Sequence, residues 1–413
     1  MKSQITMVER EILRILESFM HGGVYHLPEN FNRFEELSKV SQMHKILPIV
    51  YEQIREEAVL DQEENRAIRA SMKSNSIYSV MSQIQRTNGF LNVYRQLCQV
   101  GVQPLVVKGI ICRNLYSNPD LRVSGDEDML IKRENFEVCD RILLENGFQR
   151  SGIDLKEMPY EVAYYQPGSG TYIELHCSLF PENSGEYGHL NDEFDRVYER
   201  CIFEEIQGTR VWTLSPTDHM FYLNCHSFKH FLHSGFGIRQ VCDMVMMAEH
   251  YGGRIDWEKI YKKLRRLNML TFWAGLASIG KHFLGFDWEK AQYLTKIQKA
   301  DVGAKELLVD LMQSGVYGNS TEERKHSSNV TLAAVKTGKK DTMTALRYSA
   351  FPSYSYMKQK YEWLEKYPFL LPGAWGMRIF SYLAHAEKHD NGQSGLEIGM
   401  ERVELLKKYH IIH

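Results

Sequence analysis

The chain of 413 residues has little of what marks several broad protein classes. Cysteine is scattered: seven residues stand singly, none in C-x-x-C spacing, and none follows Cys242. An odd set without paired spacing argues against a disulfide framework and a zinc knuckle. Neither sign of charge is in excess, with 50 Lys and Arg against 52 Asp and Glu and a net charge of −2. Without a global basic field, a nucleic-acid partner is not expected. Unbroken apolar runs are missing too. The first segment, MKSQITMVEREILRILESFM, carries Glu9, Arg10 and Glu11 where a signal peptide needs an apolar core. The most membrane-like stretch, residues 367–386, contains Pro372, Gly373, Gly376 and Arg378, and reads as too broken to cross a bilayer. There is no internal repeat and no low-complexity tract. These absences predict a cytoplasmic chain without a membrane partner.

What is present divides into three parts. Residues 1–100 read as an N-terminal helical region. Ile12, Ile15, Leu16 and Phe19 recur at helical spacing, and residues 65–101 keep that period up to a stop at Gly101. Over 101–212 the pattern becomes α/β. Residues 103–109 and 126–132 read as strands, and 111–118 and 134–148 as helices. Residues 161–180 read as two strands around the turn QPGSG. Residues 213–413 return to helix, opened by Ser215 as N-cap and Pro216 at the first helical position. Within them, 316–345 is polar and partly basic, which predicts an exposed loop.

The chemistry concentrates at SGDEDMLI, residues 124–131. Asp126 and Asp128 lie two apart on a predicted strand, so they share a face while Glu127 points away. Two adjacent carboxylates repel, and one would stay protonated unless a cation neutralises them. Mg2+, or Mn2+, held by one or two carboxylates with water and phosphate oxygens meets that need. Downstream, YIELHC places Glu174 and His176 on one face of another strand, which makes Glu174 a candidate third carboxylate. Lys108-Gly109 ends the preceding strand, and a Gly-led turn lets backbone amides approach phosphate. Arg122, four residues before Asp126, is placed to meet phosphate bidentately.

These residues carry a resemblance. VVKGIICRNLYSNPDLRVSGDEDMLI, then ENGF, then YIELHCSLF, resembles the uncharacterised bacterial nucleotidyltransferase family of the DNA-polymerase-β-like superfamily. Lys108, Gly109, Tyr116, Arg122, Asp126 and Asp128 match its run, and HSFKHFLHSGFGIRQVCDMVMM matches its later histidine-rich helix. The resemblance spans about residue 40 to about 385. It implies an α+β fold: a polymerase-β-like nucleotidyltransferase core with a mixed sheet, flanked by helical regions. It also implies a two-metal transfer of a nucleoside monophosphate from an NTP, with Asp126, Asp128 and Glu174 as catalytic metal ligands. Lys108, Gly109, Arg122, Lys229, His230 and Arg239 are the expected nucleotide-binding residues, with Asp243 orienting Arg239 across one helical turn. The balanced charge favours a small-molecule acceptor, with a peptide or protein next. Two departures stand out. The superfamily usually has Gly-Ser where this chain has Lys108-Gly109, and an apolar residue where it has Glu127. They keep a rival reading open, a non-catalytic nucleotide sensor on the same fold.

Other groups read more plainly. His226, His230 and His233 with Cys225 lack a third ligand at zinc spacing. His176 beside Glu174 reads first as a hydrogen-bond partner, then as a base or ligand. The aromatic residues of 352–376 predict helix packing against the catalytic unit ahead of base stacking. Asp128→Asn is expected to remove activity and leave stability unchanged or slightly raised.

Overall fold

A computed structural model describes residues 4–151, 160–315, 322–337 and 395–412, and most of 351–386. Four helices come first: α1 (Met7–Met20), α2 (Phe34–Met43), α3 (Leu47–Ile54) and the long α4 (Arg66–Gln99). Thr6 caps α1 in a full capping box with Glu9, and Gly101 takes φ +86° just past the end of α4. The α/β part follows as β1 (Leu105–Val107), α5 (Gly109–Arg113), β2 (Glu127–Leu130), α6 (Phe136–Glu145), β3 (Gln149–Arg150), β4 (Glu161–Gln166), β5 (Thr171–His176), α7 (Val197–Arg200), β6 (Ile202–Ile206) and β7 (Thr209–Thr213). The helix read over 111–118 thus starts two residues earlier and ends at Arg113, five residues long.

The seven strands form one mixed sheet in the order β3-β4-β5-β2-β1-β7-β6. β2 runs antiparallel to β1 and parallel to β5, which sets Asp128 opposite Val107 on one side and Glu174 on the other. Alternation then sorts the two faces. Val106, Met129, Ile173 and Leu175 pack with Phe90, Tyr94 and Leu97 of α4 and with α6. Leu105, Val107 and Leu130 face the larger core. The last turns of α4 therefore form the layer under the sheet, N-terminal to residue 101.

The larger core joins the beginning of the chain to its later helices, α8 (Pro216–Leu232), α9 (Arg239–Tyr251), α10 (Trp257–Arg266), α11 (Leu270–Phe283), α12 (Thr295–Gln298) and α13 (Lys305–Ser314). Ile12 and Phe19 of α1 share it with Phe221, Phe231 and Phe272. Ser215 caps α8 by accepting from Asp218 N–H, with Pro216 at the first position.

Three sequence expectations change here. Residues 322–337 of the expected loop form a helix, α14, and the rest of 316–345 lies outside the described residues. Polar residues misled: Arg324 is buried against Asp310 at 2.6 Å, and Thr331 donates to the Leu232 carbonyl at 2.6 Å. Pro372, Gly373 and Gly376 do not break their segment, which is a helix over Leu371–Ala386. Among the described residues no helix is long and apolar enough to cross a membrane. Among the described residues the aromatic segment forms a small core of its own, with Met357, Leu364 and Ala374 buried and Tyr354, Tyr361 and Trp375 packed against them. Tyr356 lies outside the described residues.

Candidate active site

The site starts at the turn between β1 and α5. Lys108 has φ +57°, a region non-glycine residues seldom adopt, and Gly109 follows at φ +35°. His219 holds this turn: its Nε2 accepts from the Lys108 N–H at 3.1 Å, and its Nδ1 faces Thr213 Oγ1 at 3.2 Å. Burial, then the nearby Lys108 charge, lowers the His219 pKa to about 3, so the imidazole stays neutral and can accept.

Glu127 points into the face covered by α4, as alternation requires, and is 3% exposed. Its Oε1 meets Arg113 Nη1 at 2.5 Å, and its Oε2 accepts the Ile110 N–H at 2.7 Å. The buried acid is therefore matched by a buried arginine. Its carboxylate also lies so close to Gly109 that a Cβ there would collide with it. This arrangement leaves the Ile110 amide bonded to Glu127.

Asp128 faces the other way. Its Oδ1 lies 2.9 Å from Lys108 Nζ and 3.2 Å from His176 Nε2, while its buried Oδ2 has no hydrogen-bond partner among the described residues. Burial alone would raise its pKa, but Lys108 and His176 hold it well below the usual carboxylate range. Lys108 responds in kind: burial would lower it, and Asp128 keeps it well above the usual lysine range. Glu174 Oε2 lies 3.5 Å from His176 Nε2. Burial opposes protonation of His176, but hydrogen bonds to Asp128 and Glu174 raise its pKa to about 9. Asp128, Glu174 and His176 offer ligand atoms all within 4.8 Å of one another, close enough to hold a metal ion.

Asp126 stands just before β2, half-buried and with no hydrogen bond or ion pair among the described residues. Burial and the neighbouring Asp128 raise its pKa. It lines a recess with Arg86, Gly125 and Tyr172 that is closed down to almost no free volume. Asp128 and Glu174, paired in register, share a sheet face, and Asp126 sits beside the same turn. Asp128, Glu174 and His176 form one cluster across β2 and β5, and Asp126 stands beside it, close enough for its charge to act on Lys108 but outside the group of ligand atoms.

The expected phosphate ligands separate into two groups. Arg122 is buried and fully engaged: its Nε donates to Asp243 Oδ1 at 3.0 Å, and its Nη2 pairs with Oδ2. Tyr116 OH donates to the same carboxylate at 2.9 Å. The expected bidentate phosphate contact is thus made internally, because a buried guanidinium needs a carboxylate. Asp243 consequently holds Arg122 rather than Arg239. Arg239 donates to the Val123 carbonyl, and makes no ion pair among the described residues. Lys229 lies near Glu161, Glu174 and Asp128, its amine 5.7 Å above the Tyr160 ring. His230 Nε2 approaches His226 Nε2 at 2.8 Å, and His226 in turn lies 3.4 Å from Lys108 Nζ. Burial and Lys108 push both imidazoles well below the usual histidine pKa.

Sequence reasoning missed two cations. Lys45 has its Nζ beside Gly125, and Arg86 lines the recess with Asp126. Burial lowers the pKa of Lys45, then Arg239; burial and Arg113 lower that of Arg86. Burial, then Arg122, brings Arg239 to about 10. Lys45, Arg86 and Arg239 make no ion pair among the described residues, so three positive groups gather around Asp126. Nothing in the spacing of positions 45, 86 and 239 signals this, since the fold alone brings them together.

A mixed sheet that sets Asp128 opposite Glu174 on the neighbouring strand, amid helices, fits a nucleotidyltransferase-type core. A family model described as "Uncharacterised nucleotidyltransferase" matches residues 32–285, more than half of the chain, and the chain belongs to that family. The match takes in the helices from α2, the sheet and α11, and stops well short of residue 385. No curated protein and no solved structure matches the chain.

Proposed function

We propose that the chain moves a nucleoside monophosphate from an NTP to a small-molecule or peptide acceptor, with Mg2+ or Mn2+ as cofactor. The observation that carries this reading is the pairing of Asp128 with Glu174 across β2 and β5, with a buried Asp128 Oδ2 that has no partner among the described residues. The donor set fits a hard divalent cation. Asp128 and Glu174, with His176 in the same cluster, offer the ligand atoms, and Asp126 beside them would add a third carboxylate. When bound, such cations neutralise the attacking and leaving oxygens of an in-line displacement. Lys45, Arg86 and Arg239 would hold the triphosphate, because three mutually repelling cations are relieved by an anion. His176 would keep Asp128 turned toward the cluster. The acceptor oxygen attacks the α-phosphorus, and the bond to the β-phosphate breaks to release pyrophosphate.

A second reading, a nucleotide sensor without turnover, has its own support. The Lys108 amine already occupies Asp128 Oδ1, and Glu127 already caps the Ile110 amide. Incubation with labelled NTPs and Mg2+ or Mn2+ decides between them. Pyrophosphate release that disappears in Asp128→Asn supports transfer. Saturable nucleotide binding with neither release nor self-labelling supports the sensor and removes the transferase reading.

A further inference from the structure

α3 and the first half of α4 border a half-open cavity of about 420 Å3, the size of a small-molecule site. Its walls include Pro48, Ile77, Val80, Met81 and Leu121. Ile77 is 49% and Met81 60% exposed, so the described residues leave this apolar surface uncovered. Ser76 also lines the cavity. It is 5% exposed, and among the described residues its buried Oγ has no hydrogen-bond partner. A buried hydroxyl left unbonded is costly, and a polar group that bonds it removes that cost. At the mouth, Arg55 is paired with Glu52 and Glu56 at 3.4 Å each, and Arg69 with Asp61. Lys73, exposed at the same mouth, makes no ion pair among the described residues.

We infer that this cavity binds a small amphipathic organic anion: an apolar body against Ile77, Val80 and Met81, a polar group on Ser76, and a negative group at Lys73. On the nucleotidyl-transfer reading, on which this assignment rests, the occupant is the acceptor. Its position suits that role. Leu121 lies on the segment that leads directly to Asp126, and α4 continues from Ser76 to Arg86 in the recess beside that acid. At 1.5 Å per residue the separation along the helix is roughly 15 Å. The cavity and the recess beside Asp126 thus lie along one helix, and an occupant's reacting group reaches the acids only where that closed recess opens to it.

The test uses anilinonaphthalene sulfonate, an aromatic body with one sulfonate that fluoresces when shielded from water. It is titrated into the full chain without nucleotide or metal. Saturable binding at one site is expected. Ile77→Asp and Lys73→Glu, both at exposed positions, should each weaken it by about tenfold or more, and melting curves check that both variants fold. Absence of saturable binding, or affinity unchanged in both variants, overturns the site. A second exposed apolar surface, at Phe369 and Phe380, is the control. Binding lost in Phe369→Ser but kept in Ile77→Asp also overturns it. Because nucleotide and metal are absent, failure here leaves the acid-cluster reading standing. Dye binding in a chain that never releases pyrophosphate keeps the cavity and removes only its role as acceptor site.

Discussion

Asp128→Asn separates the two tasks this carboxylate performs. Viewed as a sequence change it relieves repulsion from Asp126 and should cost nothing. The structure reverses the sign. Asp128 is 1% exposed and lies 2.9 Å from Lys108 Nζ. Asparagine keeps an oxygen for that ammonium but removes the charge that keeps it buried. Two unit charges about 3 Å apart attract by roughly 5–6 kcal/mol at an effective dielectric near 20. Asp126 and Glu174 also lie near Lys108 and keep part of that attraction, and the relieved repulsion offsets more. A net loss of about 2–3 kcal/mol remains, just below the usual range for removing one partner of a buried pair. Urea unfolding near neutral pH without metal measures it. Adding Lys108→Met removes the stranded ammonium and should restore at least half of the loss. Pyrophosphate release should fall by roughly a hundredfold or more in the single variant. Wild-type stability in Asp128→Asn, or a double variant no better than the single one, would refute the argument that this pair stabilises the apoprotein.

Arg122→Gln should destabilise by about 3 kcal/mol or more, because it strands the buried Asp243; urea unfolding reads it. If Arg122→Gln unfolds like wild type but loses nucleotide affinity, Arg122 is a phosphate ligand after all. Gly109→Ala should cost about 2 kcal/mol or more, since its Cβ would displace Glu127 from the Ile110 amide, and a midpoint equal to wild type contradicts that. Acid should weaken the fold through His44, which is fully buried and bonded to the Met312 carbonyl at 3.1 Å. Burial lowers its pKa to about 4, against about 6.5 unfolded, so its contribution is complete above the unfolded value and falls away as pH drops toward the folded one. At about pH 5.5 the loss from this one group is about 1.4 kcal/mol. His44→Gln should lose less stability than wild type between neutral pH and that point, and an identical loss removes His44 as a cause.

Period-two alternation was enough to set Glu127 and Asp128 on opposite faces of β2, and to put Glu174 on a strand face with His176; Asp126 lies before the strand, outside that rule. It worked because strand faces are a local property of the backbone. Helix stops at Gly101 and the cap at Ser215 were legible for the same reason. Partner choice was not local. Glu127 finds Arg113 on α5, and Asp243 takes Arg122 from the segment before β2 rather than Arg239 one turn away on its own helix. Burial decides such pairings: the guanidinium that loses most water gains most from the carboxylate. Composition misled over 322–337 on the same ground, since Arg324 reads as surface charge until Asp310 is brought beneath it. Lys108 joins these lessons at the site itself. Lys108 is the internal cation beside the acids, and it holds Asp128 ionised. Any divalent cation must compete with that ammonium for the same carboxylate. The strength of the Lys108–Asp128 pair therefore bears on stability and on metal affinity with opposite sign. Lys108→Met should weaken the apoprotein and tighten Mn2+ binding, measured by titration calorimetry on the same preparation. A variant that loses stability and metal affinity together would show that Lys108 shapes the site rather than competing for it.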